Sequence, residues 1–236
     1  MNSDSIQTEV SVKFFLLCLI AALLLIPAFR STVLAQTAPA SSPPKYCNPC
    51  LFYGGDFDGG NGLSNEKDVT ISSGAEVLVP FDVPDSQQWT VSGLFTNDLS
   101  NVNLLDPPRT YWSIRKDVKA GDCGTLVASG NSGARFSPTG RGGFGYEEYT
   151  ALTRINPLVL SPGRYWLTTV PECTNSSDSN CQQARYVISS TSGKSSYGPK
   201  EPCDSFFNSK TLGVKCQPIS TGQYCGSFSA GVLGTE

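Results

Sequence analysis

After residue 46 no stretch keeps a 3.6-residue apolar period. Short runs rich in β-branched and aromatic residues recur instead, each ended by Gly, Pro, Asn or Asp. That pattern excludes a helix bundle, and it leaves no room for the crossover helices a parallel sheet requires. The runs lie at 75–81, 88–95, 110–116, 125–129, 146–155, 158–160, 164–170 and 184–191. Their number and spacing predict an all-β domain over 46–236, an antiparallel β-sandwich of jelly-roll or Ig-like type. The 23 glycines and 16 prolines supply the punctuation such a fold needs.

Alternation assigns the faces. Trp89 and Val91 share a face that reads as core, as do Trp112 and Ile114, leaving Tyr111, Ser113 and Arg115 to point outward. In Tyr165-Trp166-Leu167-Thr168-Thr169-Val170 both faces carry an aromatic, so one ring leaves the core unless something covers it. Beyond Thr191 the periodicity fades. Residues 197–236 read as a disulfide-pinned C-terminal extension or as the last strands of the sandwich.

The N-terminus indicates export. Residues 14–26, FFLLCLIAALLLI, are an apolar run that follows Lys13 and stops at Pro27. A spanning helix needs about twenty apolar residues, so this run fits the central region of a signal peptide. Val33 and Ala35 suit the −3 and −1 positions, which gives a signal peptide over 1–35, with a signal-anchor as the alternative. Residues 36–45 are a Pro/Ser-rich linker with nothing to bury.

Cleavage after Ala35 removes Cys18 and leaves an even set of cysteines: Cys47, Cys50, Cys123, Cys173, Cys181, Cys203, Cys216 and Cys225. In an exported chain that reads as a disulfide framework. Cys173 with Cys181, and Cys216 with Cys225, bracket short polar loops and are expected to pair. Cys47, Cys50, Cys123 and Cys203 then supply the remaining bridges. Cys47-Asn48-Pro49-Cys50 follows the proline-rich linker without a βαβ context, so its role reads as structural rather than redox.

Composition narrows the chemistry. The chain has no histidine, which excludes Ser-His-Asp and Cys-His hydrolases and histidine-ligated metals. Its net charge of −3 lacks the basic face that nucleic acid demands. Gly140-Arg141-Gly142-Gly143-Phe144-Gly145 matches a dinucleotide-binding glycine pattern, but a strand-like segment follows where a helix must begin, so it reads as a glycine hairpin or bulge. Glu147 and Glu148 point to opposite faces of a strand and cannot converge on one bond. Asp56, Asp58 and Asn61 sit on a glycine-rich turn with the hard oxygens calcium prefers, although the EF-hand register fails there. Calcium is the one candidate ion, and no other cofactor is expected.

A set of strings carries a resemblance. Tyr53-Gly54-Gly55-Asp56-Phe57-Asp58, Gly62-Leu63-Ser64-Asn65-Glu66 and Trp89-Thr90-Val91-Ser92-Gly93-Leu94-Phe95 belong to it. Trp112-Ser113-Ile114-Arg115, Gly124-Thr125-Leu126-Val127-Ala128-Ser129-Gly130, Gly140 to Tyr146 and Pro162-Gly163-Arg164-Tyr165-Trp166-Leu167 complete it. Over residues 51–170 the chain resembles an uncharacterised family of exported bacterial β-sandwich proteins, many of which end in a PEP-CTERM sorting tail. The resemblance implies export and an all-β fold, and it implies no catalytic residues. The sorting tail is absent here and the cysteines are many, so anchoring by that route is not expected.

These readings predict a secreted, extracellular or periplasmic monomer, free of the membrane once the leader is cut, that binds rather than catalyses. A glycan or another cell-surface component is the expected partner, with Tyr111, Tyr165 and Trp166 as candidate stacking platforms. The alternatives are a structural envelope or matrix component, or a secreted hydrolase working through carboxylates.

Overall fold

A computed structural model of the chain describes residues 47–68, 74–101, 109–173, 186–219 and 226–236, all within one unit spanning Ala40–Glu236. The leader and linker expected over 1–45 lie outside the described residues. Among the described residues there is no helix, hence none long and apolar enough to cross a membrane. The strands are β1 (Cys50–Tyr53), β2 (Phe57–Ser64), β3 (Lys67–Asp68), β4 (Ala75–Val83), β5 (Trp89–Ser100), β6 (Arg109–Lys116) and β7 (Thr125–Gly143). They continue as β8 (Tyr146–Leu160), β9 (Gly163–Cys173), β10 (Tyr186–Thr191), β11 (Phe206–Ser209), β12 (Val214–Pro218) and β13 (Ala230–Thr235).

The expected all-β fold is present as one curled sheet, ordered β1-β13-β5-β8-β7-β6-β9-β4-β11-β12. Pairing is antiparallel except where two residues of β3 run parallel to β9. The long strand β7 joins the two limbs. Its first half pairs with β6, from Lys116↔Thr125 to Arg109↔Gly133. Its second half pairs with β8, from Ala134↔Thr153 to Gly143↔Tyr146. Between the limbs lies the main core, where β4 and β9 contribute Val77, Val79, Phe81, Tyr165 and Leu167. Opposite them stand Phe52, Trp89, Val91, Leu94, Ile188 and Val232. The rings of Phe81 and Trp89 stack at 6.1 Å, bridging the two limbs.

The hairpin between β7 and β8 turns on Phe144 and Gly145, with φ of 57° and 81°. Two successive positive φ values make a tight turn whose twist matches its strands, and a glycine there avoids the steric penalty. The run 140–145 is therefore the glycine hairpin that its context suggested, not a phosphate loop.

The C-terminal residues belong to the sheet. β13 lies between β1 and β5, and β11 extends the sheet from β4. The β11–β12 hairpin also covers the outer face of β9 and β4, where Leu78, Val118, Trp166, Phe206 and Cys216 form a second cluster. This cover resolves the two-faced segment. Tyr165 is in the main core, 1% exposed, and Trp166 is 6% exposed beneath the hairpin. Trp166 meets Phe206 edge-on at 6.2 Å and donates its indole N–H to the Asp204 carbonyl at 2.7 Å. Ser113, expected to face outward, is likewise buried.

Docking of that hairpin also overturns one disulfide expectation. Cys216 pairs with Cys123, not with Cys225, because β12 seats Cys216 over the loop after β6, with Cα atoms 5.3 Å apart. Gly121 N–H donates to the Cys216 carbonyl at 3.2 Å in the same place. Cys47 and Cys50 are bonded to each other, and Cys203 is also in a disulfide. The expected Cys173–Cys181 bond lies outside the described residues.

Candidate functional site

The buried polar residues form two networks that tie strands together, one of them between the limbs, where the Thr96 and Thr169 hydroxyls meet at 2.7 Å. Asp98 is buried and accepts from Asn65 Nδ2 at 2.9 Å and Thr96 Oγ1 at 2.6 Å. Burial pushes its carboxyl up to about 7, with a further push from the Glu148 charge, against the pull of its two hydrogen bonds. Glu148, fully buried, accepts from Arg141 Nε at 2.6 Å, Thr139 Oγ1 at 2.7 Å and Ser189 Oγ at 2.6 Å. Glu147 points the other way and accepts from the Tyr149 hydroxyl at 2.6 Å, which pushes that phenol up to about 12. The two glutamates are split across the strand, as alternation requires.

The oxygens expected to hold calcium are divided between networks. Asp56 Oδ1 accepts from Tyr53 OH at 2.7 Å and from Arg141 at 2.8 Å. Asp58 Oδ1 instead accepts from Ser190 Oγ at 2.7 Å and Gly60 N–H at 2.8 Å. Asn61 joins Asp58 through Ser190, whose hydroxyl oxygen accepts from the Asn61 N–H at 2.9 Å. The structure thus gathers Asp58 and Asn61 and turns Asp56 onto a guanidinium. Among the described residues no group of three or more Asp, Glu, Cys or His is placed to hold a metal ion.

Of the three aromatic platforms expected, only Tyr111 reaches the surface. It lines a cavity of about 380 Å³ with Lys67, Glu76, Val170, Asn208 and Lys210. The Lys67 ammonium lies 5.1 Å from its ring centroid and pairs with Glu172 at 2.5 Å, so that ring face is already occupied. Tyr165 and Trp166 are corrections: their burial leaves neither ring a free face for stacking.

A second, larger groove lies at the divergence of β7 and β8, and Trp112 forms its aromatic wall. It has a volume of about 590 Å³, inside the range of about 300–1,000 Å³ usual for ligand sites. Its origin is local. Val91 pairs with Leu158 but Gly93 pairs with Arg154, so Ile155, Asn156 and Pro157 stand against Ser92 alone. Pro157 has no N–H to give the ladder, and the chain bulges there. The bulge projects Ile155, Asn156 and Pro157 into the groove, between Arg154 and Leu158. Facing them across the gap are Ala128, Ser129, Gly130, Asn131 and Ser132 of β7.

Trp112 is half-buried, packed on the core with Ile155 and Leu158. Its cross-strand partner is Gly130, where a Cβ would fall 3.1 Å from Cζ2 and Nε1 of the indole. The absence of that side chain lets the ring lie flat against β7. The indole N–H donates to Ser132 Oγ at 3.3 Å. By contrast, the side chains of Ser129, Asn131, Arg154 and Asn156 are exposed, with no hydrogen bond or ion pair to any described residue. The groove therefore offers an apolar wall with one aromatic ring, a rim of uncommitted polar groups and a single charge, on Arg154.

No protein-family model, curated protein or solved structure matches this chain.

Alternation assigned Trp112 to the inner face, which is where it lies, but gave no sign that the layers part beside it. The signal was the Asn156-Pro157 step, which separates the apolar runs 146–155 and 158–160. In the structure those runs form one strand with the bulge between them.

Proposed function

We propose that this chain is an exported, non-catalytic binding module that takes a saccharide in the Trp112 groove. A half-buried indole at the groove wall, beside uncommitted amide, hydroxyl and guanidinium groups, carries the reading. Sugar rings present apolar C–H faces to an aromatic plane and hydroxyls to the rim, the combination this lining complements. The polar side chains have no internal task to release, so binding costs little beyond their desolvation and ordering.

Export is supported by the apolar leader over 14–26, the resemblance to an exported family and the disulfides, which persist in oxidising compartments. The carboxylates are committed elsewhere: Glu148 and Asp56 to Arg141, Asp98 to Thr96 and Asn65. Binding without turnover suits that arrangement.

The test is a glycan array, run beside glycosidase and esterase substrates, on wild type and Trp112→Ala. Binding that Trp112→Ala abolishes, without turnover of any substrate, supports the reading. Absence of binding by folded wild type, together with self-association in solution, favours a structural matrix role instead.

A further inference from the structure

We infer that the saccharide bound here carries an anionic group, a carboxylate or a sulfate ester, seated on Arg154. The inference rests on the saccharide reading above and adds the chemical class of ligand.

Among the described residues Arg154 is the one charged side chain lining the groove, and no Asp or Glu lines it. Two of the other described arginines are drawn into ion pairs. Arg141 bridges Asp56 and Glu148, and Arg164 bridges Asp82 and Asp204. Arg154 has no such partner among the described residues, although the chain carries more acids than bases. Its guanidinium is a rigid fork of donors that matches a carboxylate or sulfate with two parallel hydrogen bonds.

Position favours the same ligand. Arg154 opens the bulge, immediately before Ile155, Asn156 and Pro157, and the ladder fixes its backbone against Gly93. Trp112 stands on the other strand pair of the same groove. A sugar stacked on the indole would find amide groups of Asn131 and Asn156 at its hydroxyls and one cation at the rim. A neutral sugar uses the first two features and leaves the guanidinium idle. An anionic sugar uses all three.

Affinity is to be measured by calorimetry on the full chain with its disulfides intact, against oligogalacturonate, its methyl ester and a sulfated galactose oligomer. An anionic oligomer is expected to bind at least about tenfold tighter than the ester, the scale of one charge-assisted contact. Arg154→Gln should erase that difference, while Arg154→Lys keeps part of it. The stronger of the carboxylate and sulfate arms identifies the anion. Raising salt should weaken only the charged arms. Equal binding of charged and esterified oligomers by wild type overturns the inference, as does a charge preference that survives Arg154→Gln. Both results leave the saccharide reading standing if Trp112→Ala weakens the ester. Ester binding indifferent to Trp112→Ala, or no binding in any arm, overturns that reading and this inference with it.

Discussion

Tyr111 and Trp112 are neighbours in β6, yet they line different grooves on opposite faces of the sheet. Strand alternation imposes the separation. Lys67 and Gly74 border the Tyr111 face, whereas the divergence of β7 and β8 opens the Trp112 face. A cation covers one ring, and the other borders the groove.

Gly130→Val tests how the Trp112 ring is held. The new Cβ would lie 3.1 Å from the indole, so the ring must swing away. Overpacking of this kind costs about 1–3 kcal/mol. The expected result is a folded protein with altered tryptophan fluorescence and weakened saccharide binding. Unchanged fluorescence and affinity would contradict the described ring position.

Asp98 sets a pH dependence whose sign is unusual for a carboxylate. Its folded pKa lies near 7, above the ordinary 3.8, so the folded state holds a proton that the unfolded chain releases. Burial raises the Glu201 carboxyl as well, against hydrogen bonds from Phe228 N–H and Ser227. Stability from Asp98 should be greatest at low pH and fall as pH rises from about 4 to about 7, and Glu201 acts in the same direction. Asp98→Asn should flatten that fall in urea titrations at pH 4, 5.5 and 7. A decline of undiminished steepness in the variant would assign it to other groups.

Arg141 is the cation for a fully buried carboxylate. Arg141→Gln leaves Glu148 without its charge partner and should cost about 3–5 kcal/mol. The loss should shrink in Arg141→Gln with Glu148→Gln, because the stranded charge is then gone. Additive losses in this double-mutant cycle would deny the coupling.

The Cys123–Cys216 bond closes a separation of 93 residues. Chain-entropy arguments give about 4.6 kcal/mol for a loop of that size. Cys123→Ser with Cys216→Ser should lower the melting temperature and expose Trp166 to quencher, because the hairpin covering it loses its anchor. Quenching equal to wild type would show that packing alone holds the hairpin.

With two bonds assigned, Cys173, Cys181, Cys203 and Cys225 remain. The short polar loop still favours Cys173–Cys181, which pairs Cys203 with Cys225. Non-reducing peptide mapping should find both, and Cys203 joined to Cys173 or Cys181 would refute the scheme.

The all-β fold was legible in the chain because strands carry their own signature: period-2 alternation, β-branched and aromatic residues, and glycine or proline at each turn. Trp89, Val91 and Ile114 were placed in the core on that basis, and the 140–145 run was recognised as a hairpin from its flanking strand. What lies across from a strand leaves no such mark. Trp166 looked like a surface ring because nothing in its own segment encodes the β11–β12 hairpin, which arrives from forty residues downstream to cover it. For the same reason Cys216 found Cys123 rather than the nearer Cys225. The groove beside Trp112 exists only because β7 leaves β8 for β6 at Ala134 while Pro157 breaks the ladder opposite. Local sequence marked the strands from β4 to β10 and the inward set on several of them, while β1, β2 and β11 to β13 carried no signal of their own. Long-range pairing decided which faces are covered, because burial is a property of two surfaces and the chain states only one at a time.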